Sequence, residues 1–188
     1  MRNFLLLLLG VFLLLSCANE KPQEPDPVRR KSPIAITSVT HQPSQTYAKI
    51  VYGQPYKNGR NIFGDLVPYG EVWRTGANEA TEMTITNPLI FNGRKVDAGT
   101  YTLLTIPERN EWTIILNDSL GQWGAFDYKP KYDRLRTTVT SKRAEQLAES
   151  FTIQFSKITG DSSSIVMRWD TTKVEIPISF IDDTVNIP

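Results

Sequence analysis

From Ile34 onward the chain alternates apolar and polar residues with a period of two, the spacing at which successive side chains leave opposite faces of a β-strand. "TYAKIVYG" places Ala48, Ile50 and Tyr52 on one face, and "TEMTIT" alternates through Met83 and Ile85. "DRLRTTVT" sends Leu135 and Val139 one way and Arg134 and Arg136 the other. "SFTIQFS" alternates through Phe151, Ile153 and Phe155; "SIVMRWD" follows, and "KVEIPISF" presents Val174, Ile176, Ile178 and Phe180. "GTYTLLTIP" and "EWTIILN" are apolar on both faces, as strands covered from two sides should be. Turn signals at "FNGRK", "PERNE" and "TGDSS" separate these runs. One segment, "SKRAEQLAES" from Ser141, has the composition of a helix, although its core would serve equally as an approach to a strand. The pattern therefore predicts an all-β fold: a single antiparallel β-sandwich or barrel-like domain over residues 33–188.

The residues before it read differently. Arg2 followed by "FLLLLLGVFLLL" has the charged and apolar regions of a secretory signal, and its apolar run is short for a transmembrane helix. The run ends in "LLSC", which resembles the bacterial lipobox. That resemblance implies removal of residues 1–16 and lipidation of Cys17, the only cysteine in 188 residues. Several acyl chains at Cys17 would hold the protein on a membrane where one alone would not. Ala18 after the cysteine, where an aspartate would suggest retention at the inner membrane, favours the outer membrane by analogy. With Cys17 so used, no thiol remains for a disulfide, a metal or a nucleophile. Residues 17–32 continue as a proline-rich, charged stretch without aromatic residues, expected to be a disordered tether.

Charge excludes one class of partner. The leader carries one of the 21 basic side chains and none of the 20 acidic ones, so the remainder is balanced. No basic stripe with interleaved aromatics marks a nucleic-acid surface.

Two long stretches break the alternation, Gly53–Thr81 and Asn117–Asp133. Loops of this length are usually functional or disordered, and their aromatic content argues for order: Tyr56, Phe63, Tyr69 and Trp73 in the first, Trp123, Phe126, Tyr128 and Tyr132 in the second. The glycines of the first recur at nearly regular spacing, but the residues between them share no apolar pattern, which speaks against a β-helix.

"GRNIFGDLVPYGEVWRTGANEAT", with "AGTYTLLTIP", "WTIILN", "QWGAFDY" and "DRLR" after it, resembles the bacterial envelope family catalogued as domain of unknown function 2911. The likeness runs from about His41 to Phe180. It implies a secreted or lipid-anchored protein of Bacteroidota-like bacteria and carries no established activity.

Chemistry must therefore come from the side chains. Around Trp73 the first loop gathers Arg60, Asp65, Glu71, Arg74, Asn78 and Glu79. A planar guanidinium beside an aromatic face suits hydroxyls, carboxylates or phosphates, and Trp123 and Tyr128 would form the facing wall. The candidate ligand-binding residues are thus Arg60, Asp65, Trp73, Arg74, Asn78, Glu79, Trp123 and Tyr128. On the alternative reading, Arg74–Glu79 and Arg60–Asp65 are ion pairs that pin a covering loop, with Trp73 as its anchor. A carboxylate-dependent hydrolase would draw its pair from Asp65, Glu71 and Glu79. His41, the only histidine, carries no motif and reads as a surface or turn residue. No metal-ligand spacing or phosphate-binding motif is present, so no cofactor and no metal are expected. Three readings follow: a lipid-anchored envelope module binding a small polar or glycan ligand, an assembly protein of the envelope binding a protein partner, or a hydrolase.

Overall fold

The structure, a computed structural model, describes residues 30–181. The leader, Cys17 and most of the tether expected at 17–32 lie outside the described residues. The fold is all-β. Its strands are β1 (Ile34–His41), β2 (Thr46–Gly53), β3 (Thr81–Ile85), β4 (Leu89–Phe91), β5 (Arg94–Val96), β6 (Gly99–Pro107), β7 (Glu111–Asn117), β8 (Asp133–Phe155) and β9 (Ser162–Phe180). They form one nine-stranded ladder in the order β1-β2-β3-β6-β7-β8-β9-β4-β5, antiparallel at every pairing and open at both ends. The ladder is a folded-over sandwich rather than a closed barrel.

The folding-over is the work of β8. Its first half pairs with β7 from Glu111↔Thr140 to Asn117↔Asp133, and its second half pairs with β9. The register shifts between Arg143 and Ala148, and again between Ala148 and Thr152. The first of these shifts falls inside the segment of helical composition. Strand context overrides local propensity there, and the segment becomes the corner where the strand passes from one layer to the other. β9 bends as well. Ile165, Met167 and Trp169 are buried at odd positions, Val174, Ile176 and Ile178 at even ones. Asp170 between them takes φ 53°, and this break flips the phase so that both halves aim inward. The two strands read from sequence are therefore one bent strand of 19 residues.

Between the layers lies one apolar core. Ala48, Ile50, Met83, Ile85, Leu103, Trp112 and Ile114 on one side meet Phe151, Ile153, Met167, Trp169, Ile176 and Leu89 on the other. Tyr52 ties the layers polarly as well: the Ile153 N–H donates to its hydroxyl at 3.0 Å. Burial pushes the Tyr52 phenol above its ordinary pKa, which keeps it protonated. β6 and β7 are buried on both faces, as their composition predicts. Leu104 and Ile115 form a second, smaller cluster with Ala80, edged by Val72, Ile106, Ala125 and Tyr128. The last four except Ile106 come from the two long loops, which thus cover the outer face of the sheet's centre.

A cleft between the two long loops

The first loop continues the sheet. β3 pairs with β6 from Thr81↔Leu103 to Ile85↔Gly99. Beyond Leu103 the place beside β6 is taken by the loop: the Trp73 N–H donates to Thr105 O at 2.7 Å, and the Thr105 N–H returns to Trp73 O at 3.0 Å. Strand geometry then sends Val72 to the outer cluster and Trp73 to the main core. Inside, the Thr81 hydroxyl donates to Thr75 O at 2.7 Å, and the Thr75 hydroxyl donates to that of Thr105 at 3.1 Å. The second loop hangs on the first. The Ala80 N–H donates to Gln122 O and the Gly124 N–H to Asn78 O, each at 2.9 Å.

Trp73 is only 8 % exposed and sits among aromatic rings. Its centroid lies 5.0 Å from Phe151, 6.0 Å from Trp112, and 5.9 Å from Trp169, on which it stacks. It is first a core anchor, and only part of it faces the cleft beside it. That cleft, of about 380 Å³, has Arg60, Leu66, Glu71, Trp73, Arg74, Phe126 and Trp169 in its lining. Its apolar rim is Phe126, 82 % exposed, and Leu66.

The two arginines are held in different ways. Arg60 gives its guanidinium to the carbonyls of Lys57 and Tyr56. Arg74 is half-buried and, among the described residues, donates only Nε, to Gly76 O at 3.3 Å. That carbonyl already accepts the Trp73 indole N–H at 3.1 Å. Burial pulls the Arg74 pKa down, and no carboxylate among the described residues offsets it. Neither arginine forms, among the described residues, the ion pair of the alternative reading, Arg60 with Asp65 or Arg74 with Glu79. Trp169 is 2 % exposed and its indole N–H has no hydrogen-bond partner among the described residues.

The other candidates go elsewhere. Asp65 is exposed and does not line the cleft. Asn78 turns the chain at φ 66°, and Glu79 beyond it lines a separate cleft of about 300 Å³ with Ile34, Tyr52, Glu82 and Gln122. Trp123 is 61 % exposed and its backbone bridges Glu79. Tyr128 is not a wall facing Trp73. Its hydroxyl donates to Asp133 Oδ2 at 2.7 Å and accepts from Arg136 at 2.6 Å, so it staples the second loop to β8. Burial first, then the Asp133 carboxylate, raise its pKa. The carboxylates considered for hydrolysis are dispersed: Glu71 in one cleft, Glu79 in the other, Asp65 in neither. His41 is buried rather than at the surface, stacked on Phe180 at 4.6 Å with Nδ1 2.7 Å from the Ser44 hydroxyl.

Sequence reasoning missed Phe126 as a rim and Trp169 as part of the wall of the cleft. The first had a signal in the aromatic loop. The second, on an alternating strand, looks like any core residue.

A family described as "Protein of unknown function (DUF2911)" matches residues 32–178. No curated protein and no solved structure matches the chain.

Proposed function

This chain belongs to the DUF2911 family, and from its own geometry we propose that it is a binding module for a small polar or glycan ligand, seated in the cleft between its two long loops. The observation that carries this reading is the lining itself. A concavity of about 380 Å³ combines Arg60 and Arg74 with an aromatic rim at Phe126. Pockets for small ligands have this make-up, apolar walls with a few placed polar groups, at volumes of roughly 300–1,000 Å³. An exposed aromatic beside a guanidinium gives a sugar ring both a stacking face and hydrogen bonds.

Phe126→Ser tests the cleft. The side chain is 82 % exposed, so the substitution should change stability by no more than about 0.5 kcal/mol. Affinity for any saccharide or small metabolite found in a calorimetric screen should fall by roughly three- to tenfold, the usual worth of one aromatic contact. A ligand whose affinity ignores Phe126 would place binding elsewhere and end this reading. A protein partner is the second reading, favoured by the exposure of Trp123 and Phe126 together on one loop.

We further propose that the domain is tethered to the envelope by lipid at Cys17, at the outer membrane. The support is the sequence pattern around Cys17. Cys17→Ser should move the protein from the membrane fraction to the soluble fraction, or leave its leader uncut. Unchanged fractionation and unchanged mobility on a gel would remove the anchor.

A further inference from the structure

The cleft reading leaves open which polar group is recognised, and resting on that reading we infer that it is an oxyanion, a carboxylate or phosphate carried by the small ligand, with Arg74 as its principal contact. The geometry leaves a specific deficit of acceptors. A guanidinium has five N–H donors, and Arg74 spends one of them on Gly76 O, at 3.3 Å and shared with Trp73. Its terminal amino groups meet no acceptor among the described residues. Trp169, which also lines the cleft, has a buried indole N–H that meets no acceptor among the described residues. Arg60 adds a second cation, fixed by backbone carbonyls rather than by an acid. The one acid lining the cleft, Glu71, is exposed to solvent.

A half-buried cation with no counter-charge is unfavourable for the empty protein, since burial removes water from the charge without replacing it. The lowered pKa of Arg74 expresses that penalty. An oxyanion entering the cleft removes it. Two oxygens accept from the guanidinium fork in parallel, the geometry in which such pairs are strongest. A neutral hydroxyl can accept from the guanidinium but leaves its charge unbalanced.

Calorimetric titration of the full chain with glucuronic acid, glucose 6-phosphate and glucose tests this. The two acids should bind at least tenfold more tightly than glucose, and their advantage should shrink as salt is raised. Whichever of the two is tighter identifies carboxylate or phosphate as the natural group. Arg74→Gln should bring both acids down to the affinity of glucose with a melting temperature unchanged or raised, because the variant loses a desolvated charge and no ion pair. Arg74→Lys, which keeps charge without the fork, should lie between. If Arg74→Gln does not fold, the lysine variant and the salt dependence of the unaltered protein decide. Glucose binding as tightly as the acids would overturn the oxyanion while leaving the cleft a polar-ligand site. Acids binding equally well to Arg74→Gln would also overturn it. Binding by none of the three would remove the cleft reading as well.

Discussion

Trp73→Ala is expected to destabilise the domain by about 3–5 kcal/mol, the range for emptying a large aromatic from a packed core. Small domains are held by only about 5–15 kcal/mol in total, so the variant should stand near the edge of unfolding. The size of the effect follows from where the ring sits. It stacks on Trp169 at 5.9 Å and meets Phe63, Trp112 and Phe151 edge-on or tilted within 6.0 Å. Those partners come from the first loop, β7, β8 and β9, so one residue joins the loop to both layers. Removing it also deprives Gly76 O of its better donor. Trp73→Phe keeps a ring but loses that donor and should recover more than half of the loss. Urea unfolding measures both. A Trp73→Ala loss below about 1 kcal/mol, the level of an ordinary surface change, would mean that the loop is held by something else.

The same residue shows what was legible in the sequence. Alternation alone gave β2 its buried face at Ala48, Ile50 and Tyr52, and gave β8 and β9 theirs. A period of two is a local property, so it survives in the string of residues. Partnership between strands does not. Nothing local marks Trp73 as lying beside Thr105, and tryptophan offers the same area to a core as to a ligand. The bend at Asp170 hid the continuity of β9 because a phase flip looks like an end. Tyr128 resembled a wall until Asp133 and Arg136 claimed its hydroxyl. Glu79 stands only five positions after Arg74, yet the turns at Thr75 and Asn78, with φ of 55° and 66°, carry it to another cleft. The guanidinium at Arg74 was legible as a candidate, but the lack of a carboxylate partner for it among the described residues is a fact of the tertiary structure. So is the lack of an acceptor for the Trp169 N–H among the described residues.

Gly53→Ala should be the most damaging change that adds a single carbon. A Cβ at this position would stand 1.9 Å from the Ala77 carbonyl oxygen and 2.9 Å from its carbon, where no side-chain rotation can relieve the overlap. The contact is mutual. Ala77 N–H donates to Gly53 O at 3.1 Å, and a Cβ on Gly76 would come within 2.9 Å of the same oxygen. The two backbones therefore press together where β2 ends and the Trp73 loop returns. Glycine is needed here for closeness, not for an unusual φ; that second reason applies at Gly59, where φ is 71° and nothing lies near a Cβ. The two positions should separate accordingly. Gly59→Ala should lose about 1–2 kcal/mol through backbone strain alone and keep the cleft intact. Gly53→Ala must lift the loop from β2, so its loss should reach about 3 kcal/mol or more, at or beyond the usual range for overpacking. Lifting the loop also displaces Arg74 and Trp73, so saccharide binding should vanish with it. Hydrogen exchange at the Ala77 amide reads the displacement directly. An Ala77 amide as protected in Gly53→Ala as in the unaltered chain, with an unchanged urea midpoint, would show that the loop does not need this contact to seat.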